Sequence, residues 1–327
     1  MWKGKRVTVT GGTGMIGRQL VNLLREKGAI ITVVSLDDPI DLPLDVSFEK
    51  LNLLSFDNCL KACKGMDYVF NLIGVKGSAG ITRKRTASFF VPTILFNTNM
   101  MEAARVSGIE KYLYTSTIGV YAPDSKFFED NVWKTFPSEN DKFAGWAKRM
   151  GELQAEAYKI EYGWDSIAIV RPANVYGPYD NFDPETAMVI PALIRRIVDG
   201  ENPLTVWGDG IEVRDFIHAK DVAEGMLIAM DSANCIPINL GSGTGVTIKE
   251  LVEAICVSVD KPPEINWDLS KKSGDAIRLM DITRARSLGF KPKISLTEGI
   301  KGTVDWFLKH KEWVDQRYNV FKEEKFI

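Results

Sequence analysis

The stretch VTVTGGTGMIG, residues 7–17, constrains what this 327-residue chain can fold into more than any other part of it. A short apolar strand runs straight into Gly11, Gly14 and Gly17, and an amphipathic helical pattern begins at Met15 and Ile16 and continues through Leu24. Glycines at such a turn let a ligand approach the backbone closely, and the amides and dipole at the start of a helix favour a negatively charged group there. A strand, a glycine turn and a helix in that order predict a cradle for the pyrophosphate of a dinucleotide.

The rest of the first half repeats the alternation. Strand-like IITVV (residues 30–34), YVFNLI (68–73), KYLYTST (111–117) and DSIAIVRP (165–172) are separated by helical segments, one of which, ILFNTNMMEAARVSG, stops at Gly108. Met150, Leu153, Ala157 and Ile160 recur at helical spacing before Gly163, so a long helix begins at FAGWAK (143–148). Short apolar strands separated by helices imply an α/β fold, a Rossmann-type doubly wound parallel sheet covered on both faces. Beyond Pro172 the elements shorten and Gly, Pro and Asp accumulate, with helical stretches at Val189–Val198 and Ile248–Val257. We expect a cofactor domain over residues 1–173 and a smaller α/β substrate-binding region over 174–327, with some segments returning to the first domain. The closing FKEEKFI reads as a solvated tail.

Composition narrows the partners. A net charge of −2, with 45% hydrophobic and 26% charged residues, gives no basic face for nucleic acid and no polybasic membrane anchor. No apolar run approaches the roughly 20 residues of a membrane span, and MWKGKRVTVT is no signal peptide, so a cytoplasmic location is expected. Cys59, Cys63, Cys235 and Cys256 read as reduced thiols rather than a disulfide framework. Cys59 and Cys63 lack a second ligand pair, and the chain holds only His218 and His310, so no metal site is expected.

At the end of the second strand, VVSLDD offers Ser35 and then Asp37 or Asp38 for the adenosine ribose hydroxyls, and no basic residue in that stretch would receive a 2′-phosphate. NAD is therefore favoured, with NADP the alternative. Asn52, beside Leu53, suits either the adenine amine or a turn.

TGGTGMIG, YTSTIGVY, the helix carrying Lys148, RPANVYGP, WGDGIEVRDFIHAKDVAEG and GDAIRLMDITRARSLGFKP together resemble the extended short-chain dehydrogenase/reductase superfamily, in its nucleotide-sugar epimerase/dehydratase branch. The resemblance runs from about residue 5 to residue 310 in matching order. It implies a Ser or Thr, a Tyr and a Lys as the catalytic group, the last two four residues apart on one helix. The lysine binds the nicotinamide ribose and lowers the pKa of the phenol, which takes a hydroxyl proton as hydride leaves. Thr117 and Lys148 match two of the three positions; the tyrosine position is Ala144.

Within that branch, dehydratases carry an Asp-Glu pair directly after the Thr, where this chain has Ile118 and Gly119, which argues against dehydration. GVKGSAGIT and NVYGPYDNFDPETAMVIPALIRR resemble the GDP-fucose synthase family most closely, so a GDP-sugar is the favoured substrate class. That family's Cys and His epimerisation pair falls on Gly119 and Tyr179. What remains is hydride transfer at a sugar hydroxyl, most often C4. By the same resemblance Asn174 contacts the diphosphate or sugar, Arg278 approaches the diphosphate or ribose, Arg214 binds the diphosphate, and Val189 and Trp207 flank the base. His218 is read as structural, and Met100 and Met101 as core residues.

Three readings of Ala144 follow: a tyrosine truncated to inactivate the enzyme, a natural enzyme in which Tyr179 or a water held by Thr117 and Lys148 moves the proton, or a non-catalytic nucleotide-binding homologue. Helices near Ile94–Ser107 and Ala147–Tyr162 imply a homodimer by the superfamily's habit of pairing two helices per subunit.

Overall fold

A computed structural model describes residues 1–75, 77–271, 274–314 and 318; the FKEEKFI segment lies outside the described residues. The first half builds β1 (Arg6–Thr10), α1 (Met15–Glu26), β2 (Ile30–Ser35), β3 (Ser47–Lys50), α2 (Phe56–Cys63) and β4 (Tyr68–Asn71). It continues through α3 (Ala79–Lys84), α4 (Thr86–Val106), β5 (Lys111–Thr115), α5 (Lys142–Tyr162) and β6 (Ile167–Pro172). The second half contributes β7 (Asn174–Tyr176), α6 (Val189–Val198), β8 (Leu204–Trp207), β9 (Val213–His218), α7 (Ala219–Asp231) and β10 (Pro237–Leu240). Then come β11 (Gly245–Thr247), α8 (Ile248–Val257), β12 (Ile265–Asp268), β13 (Ile277–Arg278), α9 (Thr283–Ser287) and α10 (Leu296–Val314).

Seven strands form one parallel sheet in the order β10-β6-β5-β4-β1-β2-β3. This is the Rossmann-type arrangement expected from the alternation of strands and helices. Side chains alternate across it: Val9, Phe70, Leu113 and Val170 enter the core on one face, and Val69, Tyr112, Tyr114 and Ile169 the core on the other. Each such side chain contributes roughly 1.5–3 kcal/mol by leaving water, which is why these strands are apolar on both faces.

From β1 the chain winds outward to β2 and β3, then returns to place β4 on the opposite side. The carboxyl ends of β1, β2 and β4 therefore diverge around a crevice, the usual ligand position in an open parallel sheet. The second half returns β10 to this sheet and otherwise forms two small ones, with β9 bonded to β7, β11 and β13, and β8 bonded to β12. Helices α6, α8 and α10 cover a third core around Phe182, Leu193, Leu251 and Phe307.

Helix α5 is drawn unusually close to the sheet. A side chain at Gly145 would bring its Cβ to 2.4 Å from the Gly119 carbonyl oxygen, and one at Gly151 to 2.2 Å from the Tyr114 ring. These two glycines set the depth at which the face bearing Ala144 and Lys148 sits. The helix ends at Gly163, whose φ of 65° is the left-handed cap conformation.

Candidate active site

The crevice is a cleft of about 410 Å³ lined by the glycine turn, the ends of β2, β4 and β5, and the loop after β7. At one end, Gly11 takes φ +65°, and a Cβ at Gly17 would lie 2.3 Å from the Gly11 carbonyl oxygen, so the turn closes directly onto the first turn of α1. Met15 and Ile16 line this end. The arrangement fits a pyrophosphate: a narrow concave turn, helix amides at its base, and no side chain in the way.

At the adenosine end Asp37 lines the cleft, while Asp38 turns away to pair with Lys50 at 3.0 Å. Ser35 organises this corner, its hydroxyl bonding that of Thr13 at 2.7 Å and accepting from the Asp37 amide. The stretch VVSLDD itself holds no basic side chain, and the one that reaches Asp38 comes from another strand. Lys50 arrives from β3, in register with Ser35, because the parallel pairing brings together residues that are distant in sequence. Asn52 lines the cleft with Leu53 and also holds a turn, its Oδ1 accepting from the Leu54 amide. Tyr318 lines the same end, its amide donating to Asp37 Oδ1 at 3.1 Å.

The other end is made of side chains. Lys148 reaches the cleft from α5 and its Nζ donates to the Thr115 carbonyl at 2.8 Å, above the Tyr114 ring. The surrounding protein strips water from the ammonium, and its pKa falls to about 7. Glu152, one turn further along α5, does not counter this charge. It is locked beneath the sheet edge by two bonds from Arg171, at 2.6 and 2.9 Å, and one from the Ser116 hydroxyl at 2.5 Å. Thr117 lines the cleft, with its Oγ1 accepting from the Gly119 amide at 3.2 Å. Ala144 lies half-buried one turn before Lys148 and offers only a methyl group.

Tyr179 lines the cleft from the loop after β7, with φ +64°, its ring packed on Trp306 at 4.7 Å between centroids and under the Arg18 guanidinium. The remaining residues expected around the substrate lie outside this cleft. The Asn174 amide donates to the Asp215 carbonyl at 2.9 Å, Val189 begins α6, and Trp207 is 66% exposed on β8. Arg214 and Arg278 are register partners on β9 and β13. Burial and the neighbouring Arg278 charge hold Arg214 below the ordinary arginine pKa.

Sequence reasoning missed Asp141, the residue at the N-cap of α5. Its Oδ2 pairs with Arg278 Nη1 at 2.6 Å and joins the two halves of the chain. The signal was its place three residues before Ala144, on the same helical face. His218 caps α7 by accepting from the Lys220 amide, and burial pushes its pKa down to about 4. Cys59 and Cys63 are buried and free, with both thiols pushed up to about 12 by burial. Among the described residues no cluster suits a metal ion and no helix is long and apolar enough to cross a membrane.

Comparison with known proteins places this geometry. Residues 7–241 match the NAD dependent epimerase/dehydratase family. GDP-L-fucose synthase 1 of Arabidopsis thaliana is 32% identical, with 94% of each chain covered. Among solved structures, an epimerase of Methanothermobacter thermautotrophicus superposes with a TM-score of 0.84 at 26% identity, over 96% of this chain and 95% of that one. The UDP-glucose 4-epimerase of Thermotoga maritima, solved with UDP-glucose, gives 0.80 at 28% identity, over 94% and 99%.

Proposed function

The chain belongs to the NAD dependent epimerase/dehydratase family, and from that premise we propose that it is a nucleotide-sugar oxidoreductase or epimerase. It transfers hydride at a sugar hydroxyl, at C4, of a GDP-sugar. The observation that carries the reading is that Thr117 and Lys148 line the same cleft as the glycine turn. The bound nicotinamide supplies the hydride acceptor. Lys148 holds its ribose, Thr117 holds the reacting oxygen, and Asp37 binds the adenosine ribose as NAD requires, with NADP the alternative.

Residues 1–173 serve the cofactor in this reading and most of 174–327 the substrate. Arg214 and Arg278 take the diphosphate, for which two adjacent guanidinium forks are suited. Asn174 supports them, and Val189 and Trp207 flank the base. The GDP preference is supported by the GDP-L-fucose synthases among the relatives. Ala144 stands where the proton-transferring tyrosine belongs, as in a variant truncated to inactivate the enzyme, so the present chain turns over slowly. A homodimer in the cytoplasm completes the proposal; exposed Val91, Leu95, Met150, Leu153 and Ile160 on α4 and α5 supply an apolar face for it.

The test is to load the protein with NAD or NADP, in either redox state, and add GDP-, UDP-, CDP- and dTDP-sugars while reading the absorbance of the reduced nicotinamide. A change with a GDP-sugar supports the proposal. Binding without any change for every sugar, in the Ala144→Tyr form as well, would make the chain a non-catalytic homologue. The same assay on Tyr179→Phe measures whether that phenol takes part in proton transfer.

A further inference from the structure

We propose that Tyr318 is a cofactor-binding residue delivered from the second half of the chain: its ring flanks the adenosine, and its amide holds the Asp37 carboxylate that receives the adenosine ribose. The inference rests on the dinucleotide cleft of the reading above and does not depend on which sugar is turned over.

Tyr318 lines the same cleft as Gly11, Asp37 and Asn52, although it lies 281 residues after Asp37. Its amide donates to Asp37 Oδ1 at 3.1 Å, and the residue stays 36% exposed, at the rim of the cleft rather than in a core. An aromatic side chain at the adenosine end offers the base a flat apolar surface, and stacking holds a base without any base-specific hydrogen bond.

Helix α10 makes the delivery. Through Ile300, Val304 and Phe307 it belongs to the core of the second half. It then bends at His310, where φ −122° and ψ 17° leave the helical region. Trp306 and Trp313, on either side of the bend, pack on the Tyr179 ring with centroids 4.7 and 6.0 Å away, and His310 stacks on Trp306 at 4.6 Å. Tyr179 itself lines the cleft beneath Arg18 of α1. The end of α10 is therefore packed against the cofactor half, and Tyr318 follows shortly after it.

Asp37 is fixed twice. Its backbone amide donates to the Ser35 hydroxyl oxygen at 3.1 Å, and that hydroxyl bonds Thr13 in the glycine turn at 2.7 Å. Its carboxylate accepts from the Tyr318 amide. The neighbouring Asp38 is held by Lys50 at 3.0 Å, so Asp37 is the acid that the cleft presents. A bond from a backbone amide to a carboxylate is charge-assisted and has a fixed direction. A carboxylate held in that way accepts from the ribose hydroxyls of NAD at little ordering cost and repels the 2′-phosphate of NADP. Tyr318 thus contacts the cofactor through its ring and positions Asp37 through its amide.

Calorimetry with NAD and NADP on the full chain, Tyr318→Ala and Tyr318→Pro separates the two roles, because alanine removes the ring and proline removes the amide hydrogen as well. Tyr318→Ala is expected to bind both cofactors about five- to tenfold more weakly. Tyr318→Pro is expected to lose about a further fivefold for NAD and less for NADP, so that discrimination between them narrows. In an Asp37→Ala background the two variants are expected to bind NAD alike, since the amide has no carboxylate left to hold. Hydrogen exchange at the Tyr318 amide, followed by NMR, needs no proline variant and is expected to be faster in Asp37→Ala than in the parent. A merely structural role would lower the melting temperature and leave the NAD to NADP ratio unchanged. Parent-like NAD affinity in Tyr318→Ala, or tighter binding, the mark of a ring that occupies the site, overturns the ring contact. Equal NAD affinities of Tyr318→Ala and Tyr318→Pro, or unchanged exchange in Asp37→Ala, overturn the amide role. If the parent binds neither NAD nor NADP, the cofactor reading itself fails.

Discussion

The two ends of the cleft are built from different material. At the pyrophosphate end the chemistry is backbone: a φ of +65° at Gly11, an approach to Gly17 that no side chain would permit, and the amides of α1. At the other end it is side chains from elements far apart in the chain, Thr117 after β5, Lys148 on α5 and Tyr179 after β7. A backbone site is fixed once the strand and helix form. A side-chain site can lose one member and keep its shape.

The largest effect that would sharpen this contrast is Ala144→Tyr. Restoring a positioned acid–base group is expected to raise hydride exchange by roughly 10²–10⁴ without changing cofactor affinity. If steady-state kinetics show no gain while both ligands bind, the reacting end does not depend on that position and the contrast breaks.

Lys148→Met comes next, measured as stability in the absence of cofactor. The folded state lowers the lysine pKa from 10.5 to about 7, so between those values the native protein binds fewer protons than the unfolded chain. The penalty for burying the charge is complete below about pH 7, shrinks as pH rises, and is gone above the unfolded pKa. The variant is therefore expected to be more stable than the parent by about 2–3 kcal/mol at pH 6, a figure discounted because the cleft is open to water, with no advantage near pH 11. Denaturant melts at the two pH values check it, and an equal difference at both would contradict the assignment of the shift to burial.

Gly17→Ala probes the backbone end. The new Cβ would meet the Gly11 oxygen and the Gly12 Cα, neither of which can move independently of the turn. A loss of about 1–3 kcal/mol in stability is expected, together with weaker cofactor binding by calorimetry. Parent-like affinity would show that the turn yields more than this packing allows.

Much of this was legible in the sequence because it is local. The sheet was visible in the apolar strands, and the cradle in glycines a few residues apart. Lys148 and the gap at Ala144 showed in the spacing of a single helix. Lys50 beside Asp38, and Arg278 on Asp141, were not legible. Each pair is joined by the tertiary structure, through strand register in one case and the packing of β13 against the start of α5 in the other. Asn174, Val189, Trp207 and Arg214 were named by resemblance, and outside the first cleft their geometry depends on how the small sheets fold.

The sequence by itself determined the parallel sheet, the glycine turn and the face of α5, because periodicity and the absence of a side chain act over one or two turns of chain. Only the tertiary structure decided which charges meet: that Glu152 is spent on Arg171, that Lys148 donates to the Thr115 carbonyl, and that Asp141 pairs with Arg278. Charge pairing depends on distance and burial, and both are set by packing between separate elements of the chain.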